Sequence, residues 1–481
     1  MRLHLEMPPG SDAARRYAAE ALFKNLLGLE VILRPAQGTD WHLSDPEGQA
    51  SLSMPDSFFR KAQGAWLQPA SVPAPPLPCW QAHRDLPEAV MLDLPVPIVA
   101  GEACEEGRWW KQEGQNAWLG LDVLGSAFFL LSRYEEVAQA IQDRHERFPA
   151  TASLAFRSGF LERPLLDEYA ALLWAALKRL WPALRRPERQ GELRFTCDVD
   201  HPYEGSSKRL ALLMRALAGD LVVRRHPREA VARLGRVRQA WRGDYSQDPV
   251  NTFDWLQQRC RAHDRRATFY FIAGHTGGEI DGCYRIDEDY LLSLLKRIHD
   301  HGHRIAVHGS YNSFRDATVL RRERTALTTA CHAAGCDQEI TAIRQHYLRW
   351  DSGCTPALMQ ESGFTCDSTG AFADHAGFRY GTSHSFPLWD WREERALQLR
   401  EQPLIVMEWS VIGPRYMNLG RTAAALEKMQ TLEARCLQFG GDFTLLWHND
   451  LLRTSWDRSA LAFLLSRDRS RPLEVEAAAA E

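Results

Sequence analysis

The stretch Leu193–Pro202, LRFTCDVDHP, decides how this chain is read. Leu193, Phe195 and Cys197 alternate with Arg194 and Thr196, the period-two pattern of a short strand, which runs directly into two carboxylates and an imidazole. Asp198 and Asp200 are two positions apart, so continued strand geometry sends both side chains off one face of the chain. One carboxylate is then placed to hold a cation while the other handles a proton. Alone, the same Asp-x-Asp is also the sequence of a polar turn or a helix cap, so other strand ends must be read with it.

Downstream, the pattern predicts strands at 267–272 (ATFYFI), 304–307, 340–344, 364–366, 404–409 (LIVMEW) and 443–447 (FTLLW). Helical periodicity falls between them at 253–262, 287–301, 321–334, 355–362 and 422–439. With the opening strand this makes about seven strands alternating with helices, which predicts a parallel sheet, either doubly wound or closed as a barrel, with its chemistry at the carboxyl ends of the strands. Reading only those ends yields Asp198 and Asp200, then His308 in HGSYNS, Arg344 in RQHYLRW and His448 in LLWHND. A lone histidine after a strand is usually structural, but several polar groups from separate strands meeting at one rim meet the first tests of an active site.

At 481 residues the chain is long for one domain, and 45% hydrophobic with 25% charged residues is enough apolar material for full cores. A boundary is expected near residue 187, where RRPERQGE follows a helical segment over 163–184 that stops at Pro182. The 1–187 part reads as a smaller mixed α/β domain. It has a helix over 12–29, a strand at 31–33, a proline-rich connector over 68–78 and an apolar helix over 121–137 that exits in Arg133, Glu135 and Glu136. The second domain spans 188–465, with an insertion over 205–245, and 466–481 reads as a frayed tail. Within the insertion, 208–242 is helical in pattern and rich in arginine; it is either a membrane- or lipid-phosphate-binding element or a solvated flap over the site.

A formal net charge of −4 argues against a nucleic-acid-binding protein. The ten cysteines are scattered without a C-x-x-C pair, which predicts reduced thiols and no cysteine zinc site. No secretory leader and no run of about 18 apolar residues is present, so the expectation is a soluble, cytoplasmic protein.

Over residues 190–452 the chain resembles the polysaccharide deacetylase superfamily, the metal-dependent carbohydrate esterases (carbohydrate esterase family 4). TCDVD resembles the family's aspartate motif, ATFYF its second strand, GHRIAVHGSYNS its ligand-bearing motif, Arg344 with Tyr347 its R-x-x-Y motif, and LLWH its final L-x-H motif. The resemblance implies a distorted (β/α)7 barrel and a divalent metal, most simply zinc, held by Asp200, His308 and Asn312. It further implies Asp198 as base, Arg344 as the residue orienting it, and His448 as the acid that protonates the leaving amine. Tyr347, His346, Trp409 and Trp447 are candidates for the substrate wall. The departure is Asn312, which stands where the family carries a second histidine; asparagine is a poorer zinc ligand, and His346 and His201 are the alternatives. Asp367 is read as structural.

Residues 126–136, SAFFLLSRYEE, resemble an accessory domain found before deacetylase-like domains in bacterial surface-polysaccharide gene clusters. Together these resemblances imply removal of an N- or O-acetyl group from a sugar or glycan precursor, nucleotide- or lipid-linked, in capsule, lipopolysaccharide or exopolysaccharide assembly. Two alternatives stay open: a glycan-binding or assembly protein with little catalysis, for which Asn312 is the warning, and an amidohydrolase of small amides.

Overall fold

A computed structural model of the chain describes residues 2–36, 38–89, 92, 94–104, 107–204 and 210–466. Residues 205–209, at the start of the expected insertion, and the expected tail from 467 onward lie outside the described residues.

The N-terminal region is built on a mixed sheet of β1 (Leu3–Met7), β2 (Val31–Pro35), β3 (Trp41–Ser44), β4 (Ser51–Met54), β7 (Trp110–Glu113) and β8 (Asn116–Leu119), in the order β2-β1-β3-β4-β8-β7. A separate short pair joins β5 (Cys79–Trp80) to β6 (Val96–Pro97). Alternation sets the faces: Leu3, Leu5 and Met7, with Trp41 and Leu43, are buried while their neighbours are not. The apolar helix expected over 121–137 is broken in two, Val123–Leu131 and Tyr134–Gln139, because Arg133 takes a left-handed conformation with φ of 55°. That kink aims Arg133, Glu135 and Glu136 inward rather than to solvent, and all three are buried.

The second sheet contains β9 (Leu193–Val199), β10 (Thr268–Ile272), β11 (Arg304–Gly309), β12 (Ala342–Gln345), β13 (Cys366–Asp367), β14 (Phe386–Asp390), β15 (Arg395–Glu401), β16 (Val406–Met407) and β17 (Phe443–Leu446). Their order is β14-β15-β13-β12-β11-β10-β9-β17-β16, and every neighbouring pair is parallel except β14 with β15. The alternating α/β reading therefore holds, with helices such as Asp289–Asp300 and Ala317–Ala333 between strands. Among the described residues the sheet has nine strands rather than seven, and its ladder ends at β14 and β16, so strand pairing there does not close a barrel. The β14–β15 hairpin escaped the sequence because RALQLRE mixes Arg395, Gln398, Arg400 and Glu401 among its three apolar residues and lacks a clean apolar run. The strand expected over 404–409 is cut to Val406–Met407 because the chain turns at once into the helix Glu408–Ile412.

One apolar core runs across residue 187. Phe128 packs against Trp389 and Trp391 with ring centroids 5.4 and 5.7 Å apart, and the Tyr17 hydroxyl donates to Pro387 O at 2.8 Å. The Glu136 carboxylate accepts from Arg133 (2.8 Å) and from both Nε and a terminal nitrogen of Arg379 (2.9 and 2.8 Å). Burial would raise the Glu136 carboxyl, but the two guanidiniums outweigh it and hold it at about 2.

Candidate active site

Because neighbouring strands run parallel, their carboxyl ends lie along one edge, where the polar strand ends named above meet in a cleft of about 260 Å³. Asp198 is the penultimate residue of β9 and Asp200 follows the strand; His308 lies on β11, Arg344 on β12, His346 just beyond β12, and His448 beyond β17. Asp200, His308 and His346 form the one group among the described residues whose ligand atoms converge closely enough to hold a metal ion. His308 Nε2 is 3.3 Å from one Asp200 oxygen, and His346 Nε2 is 3.4 Å from the other. Ligand atoms each about 2.1 Å from a tetrahedral zinc stand about 3.4 Å apart, so the spacing suits one shared ion.

The hydrogen bonds behind the histidines orient them for this. His308 Nδ1 donates to Arg344 O at 2.9 Å, a carbonyl that can only accept, which leaves Nε2 as the free lone pair. His346 Nδ1 donates to Asp281 at 2.8 Å, and Asp281 is itself held by the backbone N–H groups of Gly277 and Tyr311 at 2.6 and 2.7 Å. One Asp200 oxygen, Oδ1, is buried without a hydrogen-bond partner, an atom left for a cation to satisfy. Burial would raise the Asp200 carboxyl, but the charge of His346 beside it holds it well below the usual carboxylate range. Burial would likewise lower His346, but Asp200 and Asp281 raise it to about 9.

Asp198 faces the same point, 3.6 Å from His308 Nε2. Its other oxygen accepts from Arg344 at 2.8 Å, and the Arg344 guanidinium is fixed in turn by Thr196 Oγ1, Ser368 O and Ser368 Oγ at 2.8–2.9 Å. On the opposite side, His448 Nε2 stands 3.8 Å from Asp200 while its Nδ1 and backbone N–H both donate to Glu408, at 2.7 and 2.8 Å. Burial would depress His448, but Glu408 and then Asp200 raise it well above its ordinary range.

Two expectations are corrected by these positions. Asn312 does not join the cluster: its amide nitrogen donates to Thr276 O at 2.8 Å and its oxygen accepts from Arg349 at 2.9 Å, so both ends are committed elsewhere. Trp447 is fully buried, with Trp456 beside it, and it does not line the cleft; it is a core residue. Trp409 and Tyr347 do line the cleft, as does His201, which stays outside the metal-ligand group. His346, expected at the substrate wall or as a substitute ligand, stands in the cluster itself.

Asp281, Glu408 and Arg147 escaped the sequence reading. Glu408 was findable, since it ends a strand-like run beside Trp409, but Asp281 sits in an aperiodic loop and Arg147 is far away in the N-terminal region. Arg147 lines the cleft and donates to Tyr347 O at 2.9 Å. Tyr347 and Leu348 have φ of 61° and 52°, two successive non-glycine residues in the left-handed region, so this contact braces a strained kink at the cleft wall.

Residues 4–182 match a family model described as a family of unknown function, DUF7033. A comparison with curated proteins returns no match. Among solved structures, the chain is similar to a protein assigned as a polysaccharide deacetylase from Mycobacterium smegmatis, with 19% identity and a TM-score of 0.37 over 60% of this chain and 88% of that one. It is also similar to the polysaccharide deacetylase Bc1974 from Bacillus cereus, with 13% identity and a TM-score of 0.26 over 58% and 86% of the two chains. A mutant of BA3943, a CE4 family pseudoenzyme with restored enzymatic activity, matches at 12% identity and a TM-score of 0.25 over 45% and 57%. Nothing about activity follows from likenesses this distant, and the functional reading rests on the side chains.

Proposed function

We propose that this chain is a divalent-metal-dependent deacetylase that hydrolyses an N- or O-acetyl group on a sugar or glycan precursor. The observation that carries the reading is the convergence of His308 Nε2 and His346 Nε2 on the two oxygens of Asp200, each histidine fixed through its Nδ1. An aspartate and two imidazoles suit zinc or a similar ion. When bound, such a cation supplies Lewis acidity that polarises an acyl carbonyl and acidifies water. Asp198, steadied by Arg344, takes the proton of the attacking water. His448, kept protonated beside Glu408, donates a proton to the departing amine or alcohol as the carbon–heteroatom bond breaks. Tyr347 and Trp409 offer apolar faces to a sugar ring along the cleft wall.

We place the reaction in bacterial surface-polysaccharide assembly in the cytoplasm, with residues 1–187, which share the apolar core of the rest of the chain, shaping the cleft through Arg147. The alternative of a catalytically weak glycan-binding protein rested on Asn312, and His346 beside Asp200 removes that reason. A small-amide amidohydrolase would use the same groups and differs only in substrate. The test is elemental analysis of the purified chain together with acetate release from N- and O-acetylated sugars, before and after chelation. About one divalent ion per chain and chelator-sensitive acetate release are expected. A chain that binds no divalent ion, or that releases acetate equally well after chelation, rules the proposal out.

A further inference from the structure

The site's chemistry makes no use of the helical hairpin that follows β9. It consists of the helix Leu210–Ala218, a tight segment Gly219–Val223 and the helix Pro227–Ala240. The hairpin is held together from within: Asp220 is fully buried and accepts from Arg224 at 2.9 Å and Arg233 at 2.7 Å. Leu213, Ala230, Val237 and Ala240 are buried, but most of its large apolar residues point outward. Among the described residues fifteen large hydrophobic side chains are exposed, and eight of them fall between Leu210 and Trp241. At the tip Leu221, Val222 and Val223 are 52%, 73% and 79% exposed in succession, a contiguous patch rather than the single exposed residues any surface carries.

The charge around this patch has one sign. Residues 210–242 contain eight arginines against Asp220 and Glu229, a surplus of six in a chain whose formal net charge is −4. Both acids are already paired, with Arg224, Arg233 and Arg236. Arg215, Arg225, Arg228 and Arg238 form no ion pair with any described residue. A solvated flap needs the charge but not three consecutive exposed aliphatic residues. An apolar tip flanked by exposed arginines matches the boundary of an anionic bilayer, where aliphatic side chains enter the acyl region and guanidiniums meet lipid phosphates.

We propose that residues 210–242 form a peripheral docking element for an anionic lipid surface. No helix among the described residues is long and apolar enough to cross a membrane, so contact would be made at the surface. The hairpin also lies beside the site: His201 lines both the catalytic cleft and an adjoining cavity of about 350 Å³ that is walled by Leu212, Ala216 and Arg233 of the hairpin. Docking therefore brings the cleft to the membrane and points to a lipid-linked glycan as substrate. That last step rests on the deacetylase reading; the docking does not.

The test is flotation of the full chain with sugar-free vesicles, one set of phosphatidylcholine alone and one containing about one third phosphatidylglycerol. Binding is expected to the anionic vesicles only, weakening as salt is raised. The double variant V222D/V223D is expected to lower the partition coefficient at least about tenfold. Arg225→Glu with Arg228→Glu should also weaken it, and hydrolysis of a water-soluble acetylated sugar should stay unchanged in both variants. Absence of binding to anionic vesicles overturns the proposal in favour of an acidic protein partner, and equal binding to both vesicle types, or none of the expected loss in V222D/V223D, overturns it as well. Because no sugar is present, these outcomes are independent of whether the chain deacetylates anything.

Discussion

At the scale of single residues the site turns on which side chain completes the pair Asp200 and His308. Residue types at strand ends were legible in the sequence, but His346 and Asn312 both lay within reach of the third position, and only their partners separate them. Asn312 is engaged at both ends of its amide, whereas His346 is held by Asp281 with its Nε2 turned to Asp200. His346→Ala should therefore lower metal affinity by at least about a hundredfold, while Asn312→Ala leaves it within a few-fold. Calorimetric titration of each variant with zinc measures both, and a large loss confined to Asn312→Ala would return the ligand to the position first expected. On the acid side, Glu408→Gln should keep the bound metal and lower kcat by about a hundredfold, because His448 loses the carboxylate that keeps it protonated. Steady-state kinetics with elemental analysis decides this; kcat unchanged from the native chain would show that Glu408 has no part in proton donation.

At the scale of elements, the cleft is made by how strands end. The break at Glu408 turns a would-be strand into a helix and delivers a carboxylate to His448, and the left-handed pair at Tyr347 and Leu348 bends the exit of β12 toward the cleft. The loop before residue 150 then closes over that exit. Arg147 donates to Tyr347 O, and Arg349 reaches back to His145 O at 2.9 Å and to Glu146 at 2.7 Å. Arg147→Ala should raise KM about tenfold for a sugar substrate and leave metal content intact, since the residue braces the wall and touches no ligand atom. Parallel measurement of KM and bound metal checks it; a chain that loses metal instead would mean that the loop supports the cluster and not the wall. Turn conformations of this kind follow from partners 200 residues away, which is why the local pattern, which placed strands such as Thr268–Ile272 and helices such as Phe253–Ala262, missed the kink.

At the scale of the whole molecule, the two sheets are tied by a shared apolar core and by the buried ions around Glu136. In the unfolded chain this carboxyl releases its proton near 4.5, and in the folded chain at about 2. Between those values the unfolded state holds more protons, so the contribution is fully present above pH 4.5 and is lost as pH falls through 2. A shift of this size corresponds to about 3 kcal/mol. Glu136→Gln should be about 3 kcal/mol less stable near neutral pH and should show a shallower acid dependence. Urea unfolding of both chains across the acid range tests it, and parallel stability–pH curves for the two would exclude Glu136 as the acid-sensitive tie. The sequence marked Arg133, Glu135 and Glu136 as a polar exit from an apolar helix. Their role in joining the two regions depended on Arg379, and no local pattern announces that partner.

What the sequence by itself determined is the alternation of strands and helices, the parallel sheet, and the residue types at the strand ends. These follow from periodicity and from the rule that parallel strands expose their carboxyl ends on one side, and both are local or topological facts. Tertiary structure alone decided that His346 and not Asn312 faces Asp200, that Trp447 belongs to the core, and that Asp281 and Glu408 stand behind the histidines. Each of these depends on a hydrogen bond or packing contact between segments distant in sequence. The side chains become neighbours only once the sheet has formed, so the spacing along the chain carries no record of them.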